Sequence, residues 1–413
     1  MSNYKINPFI FEKNKSIFAG VGVASVTPFD VNGNIDLDAI EKLCEYFFLG
    51  GVSYVVVQGT TGESSTLSDK EKEIVNKRFV NSLKNKLPVI LGISSNSTSE
   101  LCDLINKTDT TGFEAIMSVC PYYNKPSQDG VFQHFKSAVD ISPLPILLYN
   151  VPGRTSLDMT DETIIKLSSY SKKIIGVKEA SGNVNRIVNL RNNTHDDFLI
   201  ISGDDFSMID AVRSGADGII SVAANAYPNL MNSSYIRLLW EDDDSKPKNI
   251  SDSKLESSKF LLNNFFELIF KEGSPSGIKF ALSQLNLCKE KVRLPLTEIS
   301  SPLRNKILKF PLPSGSVTLW GWVALAGGKC IGLAIAPPAA ALPRGRARDG
   351  GVAKRGPRAR TALLSRRPRD GARSLEARRR PTALLLPSPH SPRLSRSSAH
   401  GRRDPRGQRP ATN

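Results

Sequence analysis

The chain has 413 residues and a formal net charge of +15, but this charge is unevenly distributed. Residues 1–310 hold 34 Lys and Arg against 36 Asp and Glu, whereas residues 311–413 hold 21 against 4. Hydrophobic residues make up 40% of the chain, enough for the first part to bury a core. The near-neutral body argues against a protein of the nucleic-acid-binding or membrane-surface class, because only the tail could attract an acidic partner.

Cysteine and histidine usage excludes two further classes of protein. The five cysteines are scattered without a C-x-x-C pair, and there are four histidines. This pattern argues against a disulfide scaffold and against a Cys/His zinc site, so we expect no metal. The first 18 residues carry neither a long apolar run nor a small-residue cleavage pattern, so we expect no signal peptide and a cytoplasmic location.

Strand-like and helix-like segments alternate along the body from residue 18 onward. Short apolar runs typical of strands buried on both faces predict strands at residues 21–27, 54–58, 89–92, 115–119, 146–149, 174–178, 198–202 and 218–222. Helical periodicity lies between them, at residues 37–49, 69–83, 97–107, 129–139, 161–169, 184–190 and 207–214. Ser68 and Glu71 have the spacing of a capping box for the second of these helices.

Eight strand–helix units in about 210 residues predict an α/β fold, a (β/α)₈ TIM barrel over residues 18–228. Residues 1–17 form an N-terminal extension, and residues 229–310 are expected to add helices beside the barrel, at 255–270, 278–285 and 299–308. A doubly wound open sheet is the alternative. Its commonest form carries a glycine-rich dinucleotide loop after the first strand, which this sequence lacks.

The composition changes abruptly near residue 310. The body uses 26 Lys and 8 Arg, whereas residues 311–413 use 2 Lys and 19 Arg and hold half of the 26 prolines. Residues 342–413 are Arg/Pro/Ala/Ser-rich and lack apolar periodicity, so we expect residues 311–413 to be a disordered, non-native extension without a fold or function. A membrane span over the apolar residues 317–336 and a basic nucleic-acid-binding arm are the alternatives.

The residues that follow the predicted strands are the candidate functional groups, because TIM-barrel active sites lie at the C-terminal ends of the strands. Lys178 ends an apolar strand, where burial favours a neutral amine that can form a Schiff base with a ketone. The alternative is a lysine whose amine extends to solvent. Tyr149 ends the preceding strand and could transfer protons, although half-buried strand tyrosines are common.

Other strand-end residues have weaker individual signals. Thr60 and Thr61 lie in a glycine-flanked turn that could hold a carboxylate, or could simply cap a helix. Arg154 follows a Pro-Gly turn and could bind a second carboxylate, although from this residue alone a surface arginine is the more common case. For Asp204 and Asp205 we expect no metal, and we expect Asp205 to cap the following helix.

Six segments occur in order with the spacing of a known family: GTTGES (59–64), YYNKP (122–126), YNVPGRT (149–155), IGVKE (175–179), SGDD (202–205) and GIIS (218–221). Together they closely resemble the dihydrodipicolinate synthase family, also called 4-hydroxy-tetrahydrodipicolinate synthases, over residues 18–308. These are pyruvate-dependent class I aldolases that act as lyases in lysine and diaminopimelate biosynthesis. The resemblance implies condensation of pyruvate with L-aspartate 4-semialdehyde, without a cofactor.

The resemblance also implies roles for individual residues. Lys178 forms the Schiff base, and Tyr149, Thr61 and Tyr123 form a proton relay, with Tyr123 reaching across a dimer interface. The substrate-binding positions that it implies are Thr60, Thr61, Arg154, Gly203 and Ile220. Members are commonly homotetramers, built as dimers of dimers, so we expect a homotetramer that binds neither nucleic acid nor membrane.

Some members bind lysine at the dimer interface as a feedback inhibitor. The matching positions here are Ser64, Ser65, Asn96, Glu100 and Tyr122. Asn96 and Glu100 suit the carboxylate and ammonium of an α-amino acid. Asp69 and Lys72, however, stand where lysine-sensitive members often carry histidines, which weakens the expectation of inhibition.

Two other functions compete with this one. N-acetylneuraminate lyase and related 2-keto acid aldolases share the lysine and the tyrosine but usually lack an arginine at the position of Arg154. A catalytically inactive member that serves as a binding protein is the second alternative. Every implied catalytic position is filled here, which favours an active enzyme.

Overall fold

A computed structural model of the chain describes residues 16–240 and 252–313, together with two short strands farther on, Trp320–Val323 and Ile331–Ala334. Most of the predicted N-terminal extension, residues 1–15, lies outside the described residues.

Eight parallel strands form a closed barrel, in sequence order around the ring. The last strand pairs with the first, with Gly218 opposite Gly20. The strands are β1 (Gly20–Ala24), β2 (Tyr54–Val57), β3 (Val89–Gly92), β4 (Ala115–Val119), β5 (Ile146–Asn150), β6 (Ile174–Glu179), β7 (Leu199–Ser202) and β8 (Gly218–Ser221). The predicted (β/α)₈ barrel is confirmed, and the open-sheet alternative is wrong.

Helices follow the strands and surround the barrel. The first seven are α1 (Leu37–Leu49), α2 (Asp69–Leu83), α3 (Thr98–Lys107), α4 (Gln128–Ile141), α5 (Asp161–Tyr170), α6 (Val184–Asn193) and α7 (Met208–Arg213). The predicted capping box is present at α2: Ser68 accepts from the Glu71 backbone amide, and Glu71 accepts from the Ser68 amide. Such reciprocal bonds satisfy two backbone donors that a helix start leaves unpaired.

An eighth helix, α8 (Pro228–Trp240), completes the ring. It contacts β1, the turn that follows β8, and the neighbouring helices α7 and α1. The sequence predicted only general helical patterning beyond residue 228. The structure therefore adds one more helix to the barrel than the sequence resolved.

Large side chains fill the N-terminal end of the barrel. Tyr54 is fully buried there, and its ring makes an edge-on contact with Phe18 at 5.6 Å between centroids. A Cβ at Gly22 would lie 2.3 Å from the Tyr54 ring, so only glycine leaves room for it. This end is a packed core, and the opposite end is left for polar groups.

Three further helices pack beside the barrel: α9 (Asp252–Phe270), α10 (Ser276–Gln284) and α11 (Ser301–Leu308). The chain beyond α11 is also bound to this core. Phe310 stacks on Phe265 of α9 at 5.5 Å between ring centroids. Tyr227 donates a hydrogen bond from its hydroxyl to the carbonyl of Pro311, at 2.5 Å. The packed body therefore extends slightly past the composition change.

A pair of truncations tests where the stable body ends. A chain ending at Pro313 is expected to have the same free energy of unfolding as the full chain, because the contacts of Phe310 and Pro311 are kept. A chain ending at Lys309 loses them, and we expect its free energy of unfolding to fall by about 2 kcal/mol, the value of burying one aromatic side chain. Denaturant titration of both chains measures the difference. Equal destabilisation of both would contradict this boundary.

The apolar segment at 317–336 contains the two short strands, which pair antiparallel with Trp322 opposite Gly332. This pairing differs from the expected absence of any fold in those two segments. No helix among the described residues is long and apolar enough to cross a bilayer. The Arg-rich residues 342–413 lie outside the described residues, so the extension hypothesis stays a prediction.

Candidate active site

Lys178 and Tyr149 lie side by side near the C-terminal ends of β6 and β5. They are register partners in adjacent strands. Lys178 Nζ lies 4.2 Å from the centroid of the Tyr149 ring. The two residues are only 5% and 6% exposed, so the amine does not extend to bulk solvent as the alternative interpretation required.

The surroundings of the Lys178 amine suit a nucleophile. Among the described residues, no carboxylate lies within 4.0 Å of it to form a salt bridge. Ile201, its register partner on β7, and Ile220 on β8 belong to the same buried apolar cluster as Tyr149. The amine therefore lies beside apolar and aromatic side chains, with no carboxylate partner that a substrate would have to displace.

Gly203 packs directly against the lysine stem. A Cβ at this position would lie 2.8 Å from Lys178 Cε and 2.9 Å from its Cγ. These distances are shorter than any carbon–carbon contact that proteins tolerate, so a side chain here would displace the lysine. The glycine predicted to line the pocket therefore fixes the direction in which the amine points.

The turn after β2 carries the two threonines. Gly62 donates to the Gly59 carbonyl and Glu63 to the Thr60 carbonyl, each at 3.1 Å, which makes two overlapping turns. Thr60 is exposed and Thr61 is 5% exposed. Because this turn follows the C-terminal end of β2, its backbone and its threonine side chains lie at the same end of the barrel as Lys178.

Arg154 and Tyr123 lie on neighbouring loops at this end. Arg154 is exposed on a one-turn helix, Pro152–Thr155, that follows β5. Tyr123 follows β4 with a left-handed φ of 75°, and its amide donates to the Thr155 carbonyl at 3.4 Å. The Tyr123 residue is 87% exposed, the largest exposure of any described large hydrophobic residue. It therefore faces away from its own barrel core.

A buried polar network behind Lys178 and Tyr149 was missed by sequence reasoning. Asn150 and Glu179 are the residues after Tyr149 and Lys178, and they are also register partners. The Asn150 amide donates to Glu179 Oε2 at 2.9 Å and to Asp158 at 2.7 Å. The Ser181 amide donates to Glu179 Oε1 at 2.7 Å. The alternation of a strand could have identified this pair, because the residue after an inward one points outward.

Arg186 of α6 joins the same network. Its guanidinium donates to both oxygens of Asp158, at 2.7 and 3.0 Å, and lies 3.4 Å from Glu179. Hydrogen bonding to Asp158 raises the pKa of Arg186 above its ordinary value. The network ties the loop that carries Arg154 to the strand that carries Lys178.

The residues that match a lysine-binding site lie on the loops after β2, β3 and β4, except Glu100, which is in the first turn of α3. Ser64 and Ser65 lie in a one-turn 3₁₀ segment, and Tyr122 is 40% exposed. The Asn124 side chain donates to the Asn96 carbonyl at 2.8 Å, which joins the loops after β3 and β4. Glu100 accepts from the Ser95 hydroxyl at 2.6 Å.

The two residues that replace histidines near that site are both on α2. Asp69 and Lys72 lie 3.8 Å apart as an ion pair, and Lys107 also donates to Asp69, at 3.1 Å. The start of α2 therefore carries one carboxylate that is shared by two lysine ammonium groups.

The expectation that Asp205 caps α7 is wrong. Asp205 accepts from the backbone amides of Val222 and Ala223, at 3.0 and 3.1 Å, after β8. Asp204 instead accepts from the amide of Ser207 at the start of α7, at 3.0 Å. Within the described part of the chain, no group of three His, Cys, Asp or Glu side chains could hold a metal ion.

Asp205 makes folding stability depend on pH. Burial raises the pKa of Asp205 to about 6. A carboxyl that holds its proton more tightly when folded lowers stability as the pH rises from about 4 to about 6. Asp205→Asn is therefore expected to raise the free energy of unfolding at pH 7, by at most about 3 kcal/mol, with a much smaller gain at pH 4. Thermal unfolding at both pH values measures this.

The control for that measurement is Asp197→Asn, which removes one charge at an exposed position between α6 and β7. It is expected to change stability equally little at either pH. A lower or unchanged unfolding temperature for Asp205→Asn at pH 7 would show that the buried carboxylate carries no such cost.

Comparison with known proteins agrees with this geometry. The sequence profile of the Dihydrodipicolinate synthetase family matches residues 17–310. A 4-hydroxy-tetrahydrodipicolinate synthase from Flavobacterium psychrophilum is 39% identical over 290 residues, covering 70% of this chain and 96% of that protein.

Solved structures extend the comparison to three dimensions. Dihydrodipicolinate synthase from Bacillus anthracis is 37% identical, with a TM-score of 0.67, and covers 72% of this chain and 99% of its own. The enzyme from Acinetobacter baumannii, solved in complex with pyruvate, is 34% identical, with a TM-score of 0.65, and covers 70% and 96%. A barrel with a buried lysine beside a tyrosine, matched over nearly the full length of such relatives, leaves one assignment: the chain belongs to the dihydrodipicolinate synthetase family.

Proposed function

We propose that this chain condenses pyruvate with L-aspartate 4-semialdehyde, through a Schiff base on Lys178, to give 4-hydroxy-tetrahydrodipicolinate. The observation that carries the proposal is the buried Lys178 amine 4.2 Å from the Tyr149 ring centroid, with no carboxylate among the described residues paired with it. Family membership supplies the reaction, and this pair supplies the chemistry that it needs.

The reaction begins at the lysine. The neutral Lys178 amine attacks C2 of pyruvate, and the ketone oxygen leaves as water to give an imine. The imine draws electrons from the methyl group, which loses a proton and becomes an enamine. The enamine carbon attacks the aldehyde of the second substrate and forms the new carbon–carbon bond. The amine of that substrate then attacks the imine carbon, closes the ring and releases Lys178.

Each step moves a proton, and hydroxyl groups are suited to move it. Tyr149 lies against the lysine amine, so its phenol is assigned the transfer to the departing oxygen and to the aldehyde oxygen. Thr61, buried in the turn after β2, is assigned the next position in the relay, and Tyr123 the last. Thr60 and Thr61 also hold the pyruvate carboxylate, and the Ile220 carbonyl and Gly203 line the pocket.

Arg154 is assigned the carboxylate of the second substrate. Its guanidinium is exposed at the barrel mouth, and an arginine fork binds a carboxylate with two parallel hydrogen bonds. This residue also favours aspartate semialdehyde over a sugar acid, because the sialic-acid lyases usually lack it.

Comparison of two reactions tests the function directly. The full chain is assayed with pyruvate and aspartate semialdehyde, and separately for cleavage of N-acetylneuraminate. We expect turnover in the first assay and none in the second. An Arg154→Ala variant should lose the first activity mainly through a higher KM for the aldehyde. Cleavage of the sugar acid would overturn the assignment.

A homotetramer built as a dimer of dimers is proposed, with Tyr123 completing the site of a neighbouring subunit. Its 87% exposure supports this role, because a relay residue needs a buried setting that a single chain does not give it. Mixing inactive Lys178→Met and Tyr123→Phe chains tests it. Mixed dimers should regain activity, since one of their two sites has both groups. No recovery after proven subunit exchange would contradict the shared site.

Feedback inhibition by lysine is proposed at Ser64, Ser65, Asn96, Glu100 and Tyr122. The Glu100 carboxylate would bind the ammonium of lysine, and Asn96 in the adjoining loop would bind its carboxylate. Initial rates should fall in millimolar lysine, and Glu100→Gln should weaken the inhibition at least tenfold, since a charge-assisted contact is lost. Rates unchanged by millimolar lysine would contradict the proposal.

A reducing, cytoplasmic setting is also proposed. Cys44, Cys102, Cys120 and Cys288 are free thiols, and burial raises the pKa of Cys44 to about 12, so that thiol stays protonated and unreactive. Fractionation of the source cells would test the location.

A further inference from the structure

A charged pair is completely buried beneath the threonine turn. Lys279 of α10 and Glu63 have side chains that are 0% exposed, and Lys279 Nζ donates to Glu63 Oε1 at 2.5 Å. The same ammonium donates to the Lys291 carbonyl at 2.9 Å and lies 4.0 Å from the centroid of the Phe29 ring. The pair joins the helices outside the barrel to the loop after β2.

The second oxygen of Glu63 is bound as well. The Arg293 amide donates to Glu63 Oε2 at 3.0 Å, so both carboxylate oxygens are held by the C-terminal region. The Arg293 guanidinium donates to the Thr66 carbonyl at 3.0 Å and to both oxygens of Glu71. Glu63 and Thr66 of the loop after β2, and Glu71 in the first turn of α2, are thus held by groups more than 200 residues away in the chain.

Glu63 stands two residues after Thr61 in a strained backbone. Its φ is 53°, a left-handed conformation that non-glycine residues seldom adopt. On the barrel side, the Thr27 hydroxyl donates to the Gly62 carbonyl at 2.6 Å. Thr60 and Thr61 therefore lie in a turn that is bound on one side by the barrel and on the other by Lys279.

A buried ion pair is a costly way to stabilise a fold. Apolar side chains of similar volume often stabilise a protein as well or better, so such a pair is best explained by the geometry that it imposes. The pair here holds a strained turn that carries the exposed Thr60 and the buried Thr61. A carboxylate-binding turn needs its amides and hydroxyls held within a fraction of an ångström.

We propose that Glu63 and Lys279 are positioning residues that hold the Thr60–Thr61 turn in its carboxylate-binding shape, so that the helices outside the barrel form part of the pyruvate subsite. The inference rests on the proposed role of this turn. Neither residue touches the substrate. Their contribution is to the recognition of its carboxylate and not to the chemistry at Lys178.

The test uses the full-length double variant Glu63→Gln/Lys279→Met, which removes the pair without leaving an unpaired buried charge. Two ketones are compared by borohydride trapping on Lys178: pyruvate and pyruvamide, which has a neutral amide in place of the carboxylate. We expect the variant to trap pyruvate at least tenfold less efficiently and pyruvamide almost unchanged. In steady state, its KM for pyruvate should rise tenfold or more, while kcat and the KM for the aldehyde change less than threefold.

The control is Glu290→Gln/Arg304→Met, which removes another ion pair of the same C-terminal region. Glu290 and Arg304 lie 2.7 Å apart, and the other partners of the Arg304 guanidinium in the described part of the chain are Glu298, Ile299 and Phe280, which are outside the turn. This variant should keep the wild-type preference for pyruvate. If the test variant does not fold, Glu63→Asp is measured instead, because it keeps the charge but moves it away from Lys279 by one methylene.

The outcomes distinguish the positioning role of Glu63 and Lys279 from the recognition of the carboxylate by the Thr60–Thr61 turn. A variant that folds and keeps the full preference for pyruvate would overturn the positioning role while leaving the carboxylate turn intact. A wild-type chain that traps pyruvate and pyruvamide equally would instead show that the turn does not recognise the carboxylate, and the positioning role would fall with it.

Discussion

Replacing Lys178 with arginine is expected to abolish the condensation while leaving the barrel folded. A guanidinium stays protonated at any accessible pH and cannot form an imine with a ketone. We therefore expect kcat to fall by about four orders of magnitude or more. Among the described residues Lys178 has no ion pair for the substitution to break, so the temperature of thermal unfolding should change little. Coupled rate measurements and circular dichroism on the purified variant check both expectations.

Lys77→Arg is the matched control. Lys77 lies on the outer surface of α2, where it pairs with Glu73 at 2.5 Å and its side chain is 60% exposed. The same chemical change there should leave the rate within twofold of the wild-type value. Substantial turnover by Lys178→Arg, within tenfold of wild type, would mean that another group is the nucleophile.

Tyr149→Phe is expected to have the second-largest effect. The substitution keeps the ring that lies against the Lys178 amine and removes only the hydroxyl. Proton transfer by a positioned side chain contributes about 10²- to 10⁴-fold, so we expect kcat to fall within that range. The variant should still be trapped by borohydride with pyruvate, although more slowly, because the nucleophile remains.

Tyr54→Phe provides the control for this substitution. Tyr54 is the other buried tyrosine of the barrel interior, but it lies at the N-terminal end, packed against Phe18. Its hydroxyl has no hydrogen-bond partner among the described residues, so its removal should leave activity unchanged. A Tyr149→Phe variant that behaves like Tyr54→Phe would exclude the phenol from the proton transfers.

The barrel could be predicted because its signals are local. Each strand is a short buried run, such as 54–57 or 115–119, and each helix has its own periodicity or cap, as at Ser68. The site residues at strand ends follow from the architecture, since parallel strands bring their C-terminal ends to one face. The sequence therefore predicts Lys178 and Tyr149 as neighbours at one end of the barrel.

Contacts between distant parts of the chain could not be predicted in this way. The partner of Glu63 is 216 residues away, and no local pattern pairs it with Lys279. A single charged residue within the otherwise uncharged helix α10 was the available signal, because lysine is seldom buried without a partner. The prediction that Asp205 caps α7 was wrong for the same reason. The start of α7 is close to Asp205 in sequence, but the amides after β8 are closer in space.

The most direct test of the account is to find where pyruvate attaches. Purified protein is incubated with pyruvate and reduced with borohydride, and the modified peptide is identified by mass spectrometry. We expect one adduct per chain, on Lys178, and none when the Lys178→Arg variant is treated in the same way. A folded protein that forms no adduct, or forms it on another lysine, would contradict the Schiff-base mechanism on which the proposed function rests.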